Sequence, residues 1–129
     1  MKIIKRIKQK IYSFISFRGI EGKGEKCKVN SFCHFTKNTF LGENCNFNGC
    51  RIIGNGKVTI GNKFHSGSGL RMITSFHNYD GGVEIPYDST NIDKDIVIGV
   101  QAWIGTDVLA LGGDYRRRHN YTSWRRCCF

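Results

Sequence analysis

One side chain of this sequence that could carry chemistry is the imidazole of His77. It stands at the start of a polar run, residues 75–95, which contains the only proline of the chain. A neutral imidazole can take a proton from a weakly acidic group near neutral pH. Because long excursions from a rigid framework commonly carry function, Tyr79, Asp80 and Tyr87 of the same run are candidate substrate contacts. The competing interpretation of His77 is a structural or surface histidine.

The framework around this run is predicted by a period of six residues. Five apolar residues follow one another at this spacing, and they are Val29, Phe35, Leu41, Phe47 and Ile53. The rhythm returns at Ile98-Gly99 and Ile104-Gly105. A period of six fits neither a helix nor a plain strand. It predicts an all-β parallel β-helix, in which each side of a triangular prism takes one short strand and one inward apolar residue.

Small side chains recur four residues after the apolar positions, where such a coil turns its corner. Cys33, Thr39 and Cys45 occupy these positions early in the chain, and Ala102 and Val108 occupy them later. The six cysteines are therefore interpreted as reduced structural thiols of a cytosolic protein, and no zinc-type ligand spacing occurs among them. No metal is expected. The remaining candidate histidines, at positions 34 and 65, fall inside coil segments and are predicted to be packing or edge residues.

An amphipathic helix is predicted over residues 1–19, which repeat isoleucine with lysines between them. Two roles stay open for it: a cap over the exposed end of the solenoid, or attachment to an anionic membrane surface. A connector rich in glycine and lysine follows at 20–28, and the β-helix is expected over 29–113. Nothing in this pattern indicates a signal peptide or a membrane-spanning segment.

The net charge of +10 is concentrated at the two ends of the chain. A basic chain can bind nucleic acid, but the middle of this one has no basic stripe with interleaved aromatic residues. We therefore expect one domain without a nucleic-acid partner. A third functional alternative, in which the two basic ends bind a membrane or nucleic acid, would show strong salt dependence.

Three segments together resemble the hexapeptide-repeat acyltransferases, over about residues 29–113. They are IGNGKVTIGNKFHSGSG, ITSFHNYDGG and DIVIGVQAWIGTDVLALGG. The nearest likeness is to the maltose and galactoside O-acetyltransferases and to the bacterial O-acetyltransferases of capsule and lipopolysaccharide synthesis. This resemblance implies a left-handed β-helix, a homotrimer with active sites between neighbouring prisms, and acetyl-CoA as donor for a sugar or glycan hydroxyl. The protein is expected in the cytoplasm, in keeping with its reduced thiols, and contact of residues 1–19 with a membrane is left open.

The resemblance also assigns roles to individual residues. It implies that His77 is the general base of a direct transfer without an acyl-enzyme. In Asn46-Phe47-Asn48, one of the two asparagines would orient the acceptor, although asparagine is also common at coil corners. Trp103 and Gly105, in the Trp-Ile-Gly rung, would line the channel for the donor; otherwise Trp103 would be an outward aromatic at a subunit seam. The identity of the acceptor stays open.

The last segment, 114–129, carries no hexapeptide pattern and is predicted to be an aberrant basic tail. Read one nucleotide later, the Trp124-Arg125 codon junction can encode only glycine, and the Cys127-Cys128 junction only alanine or valine. These are residues of a hexapeptide rung, so an out-of-frame translation is one hypothesis and a genuine basic tail is the other. A solenoid that ends within a coil would lack part of its donor groove. The functional alternative to an enzyme is therefore a non-catalytic or decayed β-helix scaffold.

Overall fold

The computed structural model of the protein describes residues 1–78, 90–113, 115–116 and 121–122. Within these residues one helix, α1 (Lys2–Ser16), precedes a series of short strands. In chain order the strands are β1 (Gly22–Lys23), β2 (Lys28–Val29), β3 (Cys33–His34), β4 (Thr39–Leu41), β5 (Asn46–Phe47), β6 (Cys50–Ile53), β7 (Val58–Ile60), β8 (His65–Ser66), β9 (Leu70–Ile73), β10 (Ser75–His77), β11 (Asn91–Asp93), β12 (Ile96–Ile98), β13 (Trp103–Ile104), β14 (Leu109–Leu111), β15 (Tyr115–Arg116) and β16 (Tyr121–Thr122).

Three parallel sheets form the sides of a β-solenoid. The first sheet has the order β1-β4-β7-β12-β15, the second β16-β13-β8-β5-β2, and the third β14-β9-β6-β3. Successive strands of the chain pass from one sheet to the next, and Gly22 pairs with Phe40, eighteen residues later. Three sides of six residues account for this spacing, so the parallel β-solenoid predicted from the period is confirmed.

The core is a column of inward side chains supplied by every coil. The corner residues Cys33, Thr39 and Cys45 are buried, as are Ala102 and Val108. Their inward positions agree with the prediction. The thiols of Cys27, Cys33, Cys45 and Cys50 are free, as expected for structural cysteines. The core further contains Val29, Leu41, Phe47, Ile52, Val58, Ile60, Phe64, Leu70, Met72, Ile96, Ile98, Ile104 and Ala110.

The prediction that Ile53 points into the core, as the last apolar residue at the spacing of six, was wrong. Ile53 is 43% exposed, whereas its neighbour Ile52 is fully buried. The cause is the turn at Gly49, whose φ of +108° is available to glycine without strain. This turn is one residue short, because Cys50 pairs with Cys33, seventeen residues earlier rather than eighteen. Since strand side chains alternate in direction, a shift of one residue turns Ile53 outward and Ile52 inward.

A stack of phenylalanines joins the end of the helix to the interior of the coils. The ring centroids of Phe17 and Phe35 lie 5.7 Å apart, those of Phe35 and Phe47 5.0 Å, and those of Phe47 and Phe64 5.1 Å. Phe35, predicted to be a core residue, is only partly buried and packs against the core from this stack. Such aromatic contacts hold α1 and the first coils together.

Helix α1 lies against strands β2 and β3 of the first coil. The backbone N–H of Val29 donates to Ser13 Oγ at 3.2 Å, and the N–H of Cys33 donates to Ser16 Oγ at 3.0 Å. Ser16 is buried at this contact. The helix therefore satisfies strand donors that the first coil would otherwise present at its open end. In the described part of the chain no helix is long and apolar enough to span a bilayer.

The predicted excursion leaves the solenoid after Thr74, and its two ends form an antiparallel pair, β10 with β11, called the ribbon below. The chain rejoins the first sheet at Ile96. Beyond Gly113, where the hexapeptide pattern of the sequence ends, β15 and β16 still extend the first and second sheets. The unpaired backbone N–H and C=O groups at the edge of a coil can pair with another strand whatever side chains that strand carries. The other residues of 114–129 lie outside the described part.

Candidate functional site

The second sheet brings two of the predicted site residues together. Register pairs Lys28 with Asn46, Asn46 with His65, and His65 with Trp103. We call these four residues the second-sheet column. Each is followed in its strand by a buried residue, so alternation directs the column to the outer face. Because neighbouring strands lie about 4.8 Å apart, the amide, imidazole and indole groups are adjacent.

His65 is the member of this column that the sequence interpretation did not include in the site. It was predicted to be a packing or edge residue, and it is exposed between Asn46 and Trp103. The spacing in the sequence could have indicated that His65 lies beside Asn46. His65 follows Asn46 by nineteen residues, which is one coil of eighteen residues plus the single inserted residue. Trp103 is 45% exposed. An exposed indole above an imidazole offers a flat apolar surface beside a hydrogen-bonding group.

The structure also shows different surroundings for Asn46 and Asn48, whose roles the sequence could not tell apart. The Asn48 side-chain NH₂ donates to the carbonyl oxygen of Ser66 at 2.9 Å. Its side-chain oxygen accepts a hydrogen bond from Asn30 at 2.8 Å. Asn48 is therefore part of a ladder that ties successive coils together, a structural task at the corner. Asn46 lies on the outer face and is the better candidate for contact with a substrate.

His77 lies on β10, in the ribbon rather than in the second sheet. Register places it opposite Asn91, and Ser75 opposite Asp93. Opposed residues of an antiparallel pair share a face, with Cβ atoms about 4.5–5.5 Å apart. One face of the ribbon therefore carries His77 together with Ser75, Asn91 and Asp93. Sequence reasoning missed Asn91 and Asp93, because only the pairing of the two ends of the excursion reveals them.

The ribbon is fixed to the solenoid at its base. Thr74 is fully buried. Its N–H donates to the carbonyl of Ile53 at 2.9 Å, and its Oγ1 accepts from the N–H of Gly56 at 3.0 Å. The N–H of Lys94 donates to the carbonyl of Thr74 at 2.8 Å. His77, three residues beyond this anchor and exposed, is thus held on a rigid support while its imidazole stays accessible.

The ribbon is also bonded across its two strands. Ser75 Oγ donates to a carboxylate oxygen of Asp93 at 2.5 Å, and the Asn78 side chain donates to Thr90 Oγ1 at 3.2 Å. These contacts lie on either side of His77. The remaining predicted contacts of the excursion, Tyr79, Asp80 and Tyr87, lie outside the described residues.

Gly105 is buried at the corner that follows Trp103. A Cβ on Gly67, one coil away, would lie 2.7 Å from the Gly105 carbonyl carbon, so the glycine at position 67 lets adjacent turns approach closely. The contact of Gly105 with a donor substrate stays a prediction, as does that of Trp103.

Of the grooves on the described surface, two are lined by residues of the coils, and these two do not contain His77. One, of about 800 Å³, lies between α1 and the first coils and is lined by Lys2, Lys5, Arg6, Lys8, Gln9, Tyr12, Asn30, Ser31 and Asn48. The other, of about 690 Å³, lies on the third sheet and is lined by Phe32, His34, Gly49, Cys50, Arg51, Gly69, Leu70, Arg71 and Asp107. Both are lined by cationic side chains.

The interior thiols differ in acidity because of their surroundings. Burial raises the pKa of the Cys33 thiol to about 11 and raises the pKa of Cys50 well above its ordinary value. A side-chain hydrogen bond with Cys45 lowers the pKa of Cys27, and the same contact raises the pKa of Cys45. Among the described residues no group of three or more His, Cys, Asp or Glu side chains could hold a metal ion.

Comparisons with known proteins add no relative to this description. No protein-family model matches the chain, and no curated protein and no solved structure gives a significant match.

Proposed function

We propose that this protein is an O-acetyltransferase that moves an acetyl group from acetyl-CoA to a hydroxyl of a sugar or glycan. The observation that carries the proposal is the exposed imidazole of His77 on a ribbon anchored to an otherwise regular parallel β-solenoid. The resemblance of the three sequence segments to hexapeptide-repeat acyltransferases supplies the reaction. Both acetyl-CoA and the acceptor are substrates here.

The chemistry asks little of the protein beyond positioning and proton transfer. A sugar hydroxyl is a weak nucleophile because almost none of it is ionised at neutral pH. The imidazole of His77 takes its proton as the oxygen attacks the thioester carbonyl. The carbon–sulfur bond then breaks, the acetyl group stays on the sugar oxygen, and the proton passes to the departing CoA sulfur. Asn91, opposite His77, is placed to hold the imidazole or the acceptor hydroxyl by hydrogen bonding.

We further propose that the complete site forms between neighbouring chains of a homotrimer of left-handed prisms. In support, His77 belongs to the ribbon, a separate two-stranded sheet that follows β9 along the chain, whereas Asn46, His65 and Trp103 lie on the second sheet. In a trimer, the ribbon of one chain can face the second-sheet column of the next. Trp103 would then border the donor and Asn46 the acceptor. Light scattering of the purified chain tests the assembly, and a crystal structure tests the hand.

The cytoplasm is the proposed location. Acetyl-CoA is a donor of the cell interior, and the free thiols of the described cysteines suit a reducing compartment.

The first experiment is calorimetric titration of the full chain with acetyl-CoA, followed by assays of CoA release with sugar acceptors. We expect His77→Asn to lower kcat by roughly 10²–10⁴-fold, the effect typical of losing a general base, with the Kd of acetyl-CoA unchanged. His34→Asn is the matched control, since His34 is an exposed histidine on the third sheet, and it should retain full turnover. Equal loss of binding and turnover in His77→Asn would contradict the assigned role. Folded protein that does not bind acetyl-CoA would favour a non-catalytic scaffold.

A further inference from the structure

Helix α1 turns its apolar side away from the protein. Six large apolar side chains of the helix are each at least 49% exposed. They form what we call the apolar stripe: Ile3, Ile4, Ile7, Ile11, Phe14 and Ile15. At about 100° per residue, all six fall within roughly 60° of one line along the helix. Isolated exposed apolar residues are ordinary, but a continuous stripe indicates a binding surface.

The side of α1 that contacts the solenoid is a different one. Ser13 and Ser16 bond the first coil, and Gln9 bonds Asn30. By the same helical geometry these residues lie roughly opposite the apolar stripe. The role as a cap, which the sequence left open, is thus filled by the polar side. The stripe is not used by the contacts that hold α1 in place, and the solenoid does not obstruct it.

Charge decides which partner fits the apolar stripe. Residues 1–19 contain six basic side chains and no acidic one. Lys8 and Lys10 lie about 80° to either side of the centre of the stripe, where long cationic side chains can extend to a layer of anionic groups. A second copy of this chain would bring the same cations together, and the whole chain carries a net charge of +10. The phosphates of a nucleic acid would attract the lysines, but a nucleic acid would leave the isoleucines of the apolar stripe in contact with water.

We propose that α1 is an interfacial helix that holds the protein on a membrane surface rich in anionic lipid. The apolar stripe enters the boundary between headgroups and acyl chains, while Lys8 and Lys10 contact anionic headgroups on its two sides. The solenoid then stands on the aqueous side, because its contacts with α1 are on the opposite face of the helix. This inference concerns where the protein works and does not depend on the proposed acetyl transfer.

The test is sedimentation of the full chain with lipid vesicles. We expect binding to phosphatidylcholine vesicles containing one-third phosphatidylglycerol to be at least about tenfold stronger than to pure phosphatidylcholine, and to weaken as salt is raised. The double variant Ile7→Glu/Ile11→Glu should weaken binding by about tenfold or more. Val100→Glu is the control, because Val100 is 43% exposed but lies on a coil turn. Its binding should equal that of the unchanged chain.

A charge reversal separates the role of the flanking lysines. Lys8→Glu/Lys10→Glu should lower binding several times more than Lys37→Glu/Lys63→Glu, an equal change of charge placed on the coils. Circular dichroism checks the fold of each variant. Since Ile7 and Ile11 are each 52% exposed, Ile7→Ser/Ile11→Ser provides a milder second variant.

Three results would overturn the proposal. The first is binding to anionic vesicles that survives both isoleucine variants. The second is equal binding to neutral and anionic vesicles. The third is absence of vesicle binding by the unchanged chain. If Ile7→Glu/Ile11→Glu then also lowers the mass of the oligomer, the stripe binds a second copy of the chain. If the chain instead binds a duplex oligonucleotide and this variant still does so, the lysines bind nucleic acid.

Discussion

Truncation of two adjacent isoleucines gives a direct test of the coil register. Ile52 is fully buried and pairs with Met72, whereas Ile53 is 43% exposed and pairs with Ile73. Burying an isoleucine completely is worth about 1.5–3 kcal/mol, and the cavity left by truncation adds to this loss. We therefore expect Ile52→Ala to lower the free energy of unfolding by roughly 2–5 kcal/mol. Ile53→Ala loses part of one cross-strand contact, about 0.2–1 kcal/mol.

Urea unfolding followed by circular dichroism measures both changes. With a denaturant slope of about 2 kcal/mol per molar, Ile52→Ala should shift the midpoint by roughly 1–2.5 M and Ile53→Ala by less than about 0.5 M. The two variants remove the same atoms at consecutive positions, so each is the control of the other. A larger shift for Ile53→Ala, unchanged with protein concentration, would refute the register. A shift that depends on concentration would instead report an interface on the third sheet.

Three further predictions concern packing and ionisation. Gly61→Ala should lower the free energy of unfolding by about 1–3 kcal/mol in thermal melts, because its Cβ would lie 2.7 Å from the Gly99 carbonyl carbon; an unchanged Tm would contradict the close approach. Ser16→Ala should cost about 1–3 kcal/mol and speed hydrogen exchange of the Cys33 amide, since this buried donor loses its acceptor; unchanged exchange would argue against that bond. Cys33 keeps its proton in the folded chain up to a pKa of about 11 but loses it near 9.0 when unfolded. The contribution of Cys33 to stability is therefore complete below pH 9 and is lost, by about 3 kcal/mol, towards pH 11, and Cys33→Ala should make the fall of stability with pH less steep by this amount in urea titrations at several pH values.

Much of the fold followed from the sequence because its determinants are local. The six-residue period and the small corner residues, such as Cys33 and Cys45, describe a chain whose every side repeats the same short strand. Burial of those corners agrees with the prediction. The excursion was also visible, since a polar run with a proline cannot continue such a repeat. His77 was selected because the resemblance to hexapeptide-repeat acyltransferases places the general base at its position, at the start of that run.

The candidate site was less accessible, because its neighbours are distant in sequence. Asn46, His65 and Trp103 become adjacent only when the coils stack, and one inserted residue and a long excursion hide their common register. Asn91 meets His77 only through the pairing of the two ends of the ribbon. Asn46 and Asn48 were indistinguishable in the sequence; the side-chain hydrogen bonds of Asn48 and the outward position of Asn46 tell them apart.

The sequence by itself determined the repeating unit, since hydrophobic spacing acts over a few residues and dictates a parallel solenoid. It also showed that residues 1–19 form an amphipathic helix. Tertiary structure alone decided two orientations. A turn one residue short at Gly49 turned Ile52 inward and Ile53 outward, because strand side chains alternate and every single-residue shift reverses them. Unpaired backbone N–H groups at the end of the first coil need polar partners, and Ser13 and Ser16 of α1 accept hydrogen bonds from two of them. Because the side of α1 that carries these serines faces the coil, its isoleucines are left exposed.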